Sequence, residues 1–263
     1  MDWSKIKTIF IFAFFVLDGF LLFWVLDKQN EEKLPMMNEA SFEEQLTASE
    51  IVVENIDTNV NKKQFFIDAI PKEFNLDELS QLEDQDVILE NELEVIISTF
   101  NEPIPIVNEI NQESMAPILS EKVLFGEHYI FWEYDKLNNK VVYYQTYKNF
   151  PLFNNQSGRI IFTLNENNEV VGYKQTMLDS FEEYGEQNII EEMKALETLH
   201  ANGKLKPGSV VKSVELGYYT RVQLSSQVLA PTWHFEINEQ DDLFVNAIEG
   251  RIIEMNESNT ITE

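Results

Sequence analysis

Cysteine is absent from the 263 residues, so disulfides, thiolate metal sites and thiol catalysis are excluded. The absence does not argue against an extracytoplasmic location, because an oxidising compartment permits disulfides without requiring them. Positive charge is scarce: 19 Lys and Arg stand against 46 Asp and Glu, a net charge of -27. So acidic a surface repels nucleic-acid phosphates and anionic headgroups, which argues against a nucleic-acid partner and reads most simply as solubility. Histidine occurs three times, as His128, His200 and His234, with separations that fit no common zinc motif. His200 falls at a helix end, and His128 and His234 fall in expected strands, where a structural role is the plainer reading. HExxH, GxSxG, SxxK, the P-loop and GxGxxG are all missing. Among the 46 acids, nothing singles out the two carboxylates a glycosidase needs. The run EQDD, Glu239 to Asp242, lacks the glycine and spacing of an EF-hand loop and reads as an acidic turn. The sequence therefore assigns no catalytic residue, no cofactor and no metal site, and it does not read as an enzyme.

One long apolar run is present. Residues 6–26 read IKTIFIFAFFVLDGFLLFWVL, and as a helix they reach about 31 Å, the thickness of a hydrocarbon core. Fifteen Ile, Leu, Phe and Val residues favour insertion by roughly 7 kcal/mol, against roughly 3 for the one acid, Asp18. The following DKQNEEKLP offers no small-x-small cleavage site, so the run is expected to stay as a transmembrane anchor. Lys5 and Lys7 precede it and acids dominate beyond Lys28, which orients residues 1–5 to the cytoplasm and the rest of the chain outside the cell membrane. Asp18 lies about 12 Å below the outer end of that helix. A carboxyl at this depth points to a polar contact with another transmembrane helix. Ile11, Phe14, Phe15, Leu21, Leu22 and Val25 share its face at helical spacing and complete the expected interaction surface. No GxxxG is present to support glycine-mediated dimerisation.

Beyond a polar juxtamembrane linker at 27–40, the pattern is α+β. Ser41 followed by Glu44 opens a short helix. IVVEN and KQFFIDAI read as strands, Asn75 caps a helix, and DVILENELEVIISTF is one long strand or two. These make a first subdomain, 41–102. Pro103, Pro105 and Pro117 remove ladder donors and restrict the residues before them, so 103–120 reads as a linker. A second subdomain, 121–263, opens with two hairpins, EHYIFWEYD/KVVYYQTYK and RIIFTL/EVVGYKQTML. An amphipathic helix follows, with Ile189, Ile190, Met193, Leu196 and Leu199 on one stripe and Gly203 and Pro207 beyond its end. VVKSVELGYYTRVQL, PTWHFEIN and LFVNAIEGRIIEMN close the chain as strands. Antiparallel hairpins with a few helices describe an α+β fold rather than a doubly wound sheet.

Two segments carry a family likeness. The opening MDWSKIKTIFIFAFFVLDGFLLFWVLDKQ resembles the N-terminus of the YycI family, regulatory proteins of low-GC Gram-positive bacteria: a Met-Asp-Trp start, a Lys-Thr-Ile-Phe-Ile run and a polar residue within the anchor. The closing PTWHFEINEQDDLFVNAIEGRII resembles the end of the same proteins and, more loosely, a PepSY-type module. The resemblance implies a YycH/YycI-like architecture and a non-enzymatic accessory protein. Its implied partners are a YycH-like protein and, through transmembrane helices, the sensor histidine kinase WalK (YycG), which governs cell-wall metabolism. It carries over no catalytic residue. Two other classes stay open on the residues alone: a surface-anchored binding module for a peptide or wall ligand, or a PepSY-like protease inhibitor, and a tethered hydrolase using two carboxylates.

Overall fold

The computed structural model describes residues 41–54, 60–107, 109–220, 222, 225–238 and 241–254, together with 7, 14, 15 and 17–22 of the expected anchor. The chain divides into two compact units, residues 1–48 and 49–263. In the first, the described anchor residues are helical and exposed. No helix among the described residues is long and apolar enough to cross a membrane; most of the 6–26 run, the linker 27–40 and the C-terminal tail from 255 lie outside them. Helix α1, Phe42–Ala48, belongs to this unit. It opens with the expected reciprocal cap: the Ser41 N–H donates to Glu44 Oε2 at 2.9 Å and the Glu44 N–H to Ser41 Oγ at 3.3 Å.

Among the described residues, the second unit is built on fourteen strands in one connected sheet system. The chain first lays down β1 (Val52–Val53) and β2 (Lys63–Pro71). It then builds a complete middle sheet from β3 (Gln85–Glu90), β4 (Val95–Pro105), β5 (Tyr129–Asp135), β6 (Lys140–Tyr147), β8 (Arg159–Leu164) and β9 (Glu169–Gln175), in the spatial order β5-β6-β8-β9-β4-β3. Finally it returns to β2 with β10 (Leu178–Asn188), β11 (Val210–Tyr219), β12 (Gln227–Ile237), β13 (Asp241–Asn246) and β14 (Ile252–Ile253), which complete a terminal sheet. The short strand β7 (Phe150–Phe153) joins the two, antiparallel to β6 on one side and parallel to β11 on the other.

The middle sheet alternates as the sequence does. Val141 and Tyr143, Ile160 and Phe162, Val170 and Tyr173 point to one face and bury there, because successive side chains in a strand take opposite faces. Helix α3, Gln112–Lys122, belongs to the same core, adding Met115 and Ile118. Here the expected linker at 103–120 is corrected: β4 runs through Pro105, and α3 spans most of the remainder. Asn111 starts the helix, its Oδ1 accepting from the Ser114 N–H while Ser114 Oγ accepts in return. The prolines mislead because Pro103 and Pro105 sit where β4 has left its main register with β9, and a proline is tolerated at a strand irregularity. The chain therefore changes sheet near 72 and again near 178, not at the boundary between 41–102 and 121–263.

The terminal sheet packs differently. On one face Trp233, Phe235 and Ile237 are buried, and the Trp233 indole N–H donates to the Ile190 carbonyl at 2.9 Å. Helix α4, Glu192–Ala201, buries Ala195, Leu196 and Leu199 and ends at Gly203, whose positive φ of 67° suits the left-handed turn after a helix. A short helix α2, Leu76–Leu79, carries the expected Asn75 cap. Buried amides stitch the sheets together: Gln145 holds both backbone groups of Leu178, at 2.7 and 2.8 Å, and Gln227 lies between Asn155 and Ser157.

Candidate functional site

Strand alternation that buries Trp233 and Phe235 on one face puts His234 and Glu236 on the other. In a β11-β12-β13 ladder, Glu215 stands directly across from His234 and Asp242 directly across from Glu236. His234 is 4% exposed. Its Nδ1 lies 3.0 Å from Glu215 Oε1 and its Nε2 2.7 Å from Asp242 Oδ1. A neutral imidazole has one N–H and could satisfy only one of these carboxylates; the imidazolium satisfies both. Burial opposes that charge, but hydrogen bonds to Asp242 and then Glu215, with their charges, outweigh it and raise the pKa above the ordinary histidine value.

The ring is held by aromatics. Phe244 stacks on it at 4.9 Å and 24°, while Trp132 from β5 and Phe153 from β7 approach at 4.9 and 5.3 Å. Phe153 reaches it only because residue 217 is glycine. A Cβ there would lie 2.4 Å from the Phe153 ring and 2.5 Å from the Pro151 carbonyl oxygen, closer than non-bonded atoms approach. Above the ring opens a pocket of about 250 Å³ lined by Glu133, Ser213, Glu215, Glu236 and Asp242, with Phe131 and Trp132 at one side. Ser213 Oγ donates to Glu236 Oε2 at 3.0 Å. Glu133 rims this pocket, and its pKa is raised by the loss of hydration among protein atoms, then by the charges of Asp242 and Asp135.

This is an acidic pocket over a histidine whose two ring nitrogens both face carboxylates. His234 has no free nitrogen to act as a base or to ligate a metal, and no group of three metal-ligating side chains occurs among the described residues. Asp242, read from sequence as part of an acidic turn, instead stands in β13 and anchors the histidine. The pattern PTWHFEIN does put His234 on the face opposite Trp233 and Phe235, which is the one signal that could have drawn attention to it. Glu215 is nineteen residues away, and only strand pairing brings it close. His128 and His200 lie apart, at the 3-10 turn before β5 and in the last turn of α4.

The transmembrane face expected from sequence is a separate matter. Phe14, Phe15, Asp18, Leu21 and Leu22 are helical and exposed; Ile11 and Val25 lie outside the described residues.

A family-wide sequence profile described as YycI protein matches residues 30–248. No curated protein sequence matches the chain. Among solved structures, it is similar to an uncharacterised protein from Eubacterium rectale, with 10% identity, 79% of this chain and 91% of that one covered, and a TM-score of 0.48. It is also similar to the YpeB C-terminal domain of Bacillus megaterium, at 10% identity, 83% and 96% coverage and a TM-score of 0.41. A third similar structure is YycH from Bacillus subtilis, at 11% identity and a TM-score of 0.43, with 73% of this chain covering 52% of that one.

Proposed function

The chain belongs to the YycI protein family, and from that premise we propose that it is a membrane-anchored accessory regulator that biases a sensor kinase through its own transmembrane helix. Family membership implies a non-enzymatic accessory role toward WalK (YycG), association with YycH and attachment to the membrane. The single observation that carries the reading is the family match across residues 30–248, nearly the whole region outside the membrane run.

The mechanism follows from the anchor. A partner helix shifts a two-state bundle only by its differential affinity for the two states. In a hydrocarbon setting, with no hydrophobic drive between helices, that difference comes from packing and polar contacts. Asp18 supplies the polar contact, with Ile11, Phe14, Phe15, Leu21, Leu22 and Val25 packing beside it. The folded region orients the helix and pairs with a YycH-like protein. Asp18→Leu keeps insertion, since removing an acid makes the segment more apolar, and reduces recovery of the kinase when the protein is purified from membranes. Equal recovery of kinase with wild type and variant would remove Asp18 from the mechanism.

A further inference from the structure

The outer face of the middle sheet carries a second polar feature that the regulator reading does not use. Register sets Tyr144 on β6 directly across from Arg159 on β8, and just beyond β9 the Thr176 N–H donates to the Arg159 carbonyl at 2.9 Å. The next rung holds Ile161, Lys174 and Ile97. Arg159 and Lys174 are thus diagonal neighbours on adjacent strands, a spacing at which long side chains meet. Both line one pocket of about 200 Å³, with an apolar floor from Val95, Ile161 and Met177. Ser157, Thr176 and Glu94 also line it.

The two cations lack a carboxylate partner, as do Lys136, Lys140 and Lys206 among the described residues, but only these two share the lining of one pocket. The protein has 46 acids for 19 Lys and Arg, and Lys62, Lys63, Lys72, Lys122, Lys148, Lys194 and Lys204 each have a carboxylate within 4.0 Å. Among the described residues neither Arg159 nor Lys174 has one, and the Arg159 guanidinium donates no hydrogen bond there. Arg159 is half-buried, and burial lowers its pKa, with only the nearby Tyr144 opposing. A guanidinium stays charged regardless. Holding it away from water without a counter-charge is costly. Glu94, the acid in the pocket's own lining, forms no ion pair with it among the described residues, and Glu133 and Asp242 gather around His234.

We propose that the pocket framed by Arg159 and Lys174 is a binding site for a carboxylate carried on a small apolar group, such as the terminal residue of a peptide. The planar guanidinium takes a carboxylate through two parallel N–H···O bonds. Lys174 adds a point charge from the neighbouring strand, and the Val95–Ile161–Met177 floor takes the apolar substituent. The volume fits one such residue rather than an extended chain.

The test uses the full-length protein in detergent micelles, with N-acetylalanine as the probe and N-acetylalaninamide, inorganic phosphate and sodium chloride of matched ionic strength as the comparisons. Binding is followed by calorimetric titration and by the rise in unfolding midpoint. N-acetylalanine binds and raises the midpoint; the amide and the salt do not. Arg159→Met weakens binding tenfold or more, the loss expected of a charge-assisted bond, and Arg159→Lys recovers part of it. Arg159→Met keeps the wild-type midpoint without ligand or exceeds it, since it removes an unpartnered charge. Lys174→Gln, at an exposed position, gives a few-fold loss and guards against a folding artefact. Equal binding of the amide, undiminished binding in Arg159→Met, or phosphate binding more tightly than N-acetylalanine would each overturn the assignment.

Discussion

The middle and terminal sheets are made of similar strands but solve different problems. The middle sheet is one continuous stretch of chain, and its hairpin neighbours β3/β4, β5/β6 and β8/β9 are separated by short turns. One face is a closed apolar core of Phe74, Ile96, Phe162 and Tyr173 with α3. The terminal sheet is assembled from distant pieces. Lys63 of β2 pairs with Asn188 of β10, and Ala69 pairs with Gln227 of β12. One of its faces is apolar under Trp233; the other carries charge, with Glu215, Glu236 and Asp242 around one imidazolium. Locally closed strands can be sealed by burial alone. Strands that meet across long loops add directional polar contacts, and those fix register where a one-residue slip would exchange the two faces.

The sharpest way to break this contrast is to remove one large core side chain from each sheet. Trp233→Ala and Phe162→Ala should each cost about 3–5 kcal/mol, the loss expected for a fully buried aromatic. Both should lower a single unfolding transition, since residues 49–263 form one compact unit stitched by Gln145 and Gln227. Calorimetry of the two variants checks this; two separated transitions would mean that the sheets unfold independently. Gly217→Ala tests the seam itself. The added methyl meets Phe153 and the Pro151 carbonyl, and overpacking of this kind costs about 1–3 kcal/mol. Its effect should include altered Trp132 fluorescence, because Trp132 packs on the same Phe153 ring.

Smaller, and diagnostic by its pH dependence, is His234→Gln. The folded pKa of His234 is raised above an unfolded value of about 6.5. The stability it contributes is therefore fully present below that value and lost as pH rises through the folded pKa. Denaturant midpoints of wild type and His234→Gln should differ most near pH 6, by about 1–2 kcal/mol, and converge as the solution becomes alkaline. A difference that grows with pH would mean the ring is held neutral. The smallest effect belongs to the middle sheet: Asn111→Ala removes the cap of α3 and should cost about 1 kcal/mol, measured by the same denaturation and independent of pH from 6 to 9.

Legibility from sequence followed locality rather than sheet: strands β11, β12 and β13 of the terminal sheet were read, and helix α3 of the middle sheet was not. The hairpins β5/β6 and β8/β9, the Asn75 cap and the Ser41–Glu44 cap were all readable, because a turn and its flanking alternation are local. Strand β10 was not. Its LDSFEEYGEQN is acidic and mostly exposed because it is an edge strand paired only with β2, and edge strands carry charge to discourage further pairing. Strand β7, four residues long, is too short for a periodic signal. Helix α3 has weak amphipathicity and an internal Pro117, so composition pointed to a linker. The His234 cluster was missed for a different reason: Glu215, His234 and Asp242 are neighbours only through pairing, and no spacing along the chain encodes that.

The order in which the strands appear sets a timetable for synthesis. As the polypeptide lengthens, residues 72–177 can complete their own sheet while strand β2, carrying Phe65, Phe66, Ile67, Ala69 and Ile70, still has neither of its eventual neighbours. Both arrive more than a hundred residues later, as β10 and then β12. Until then β2 is a sticky, unpaired ribbon of the sort that invites association between nascent chains, and a truncation before residue 227 would leave one of its edges open for good.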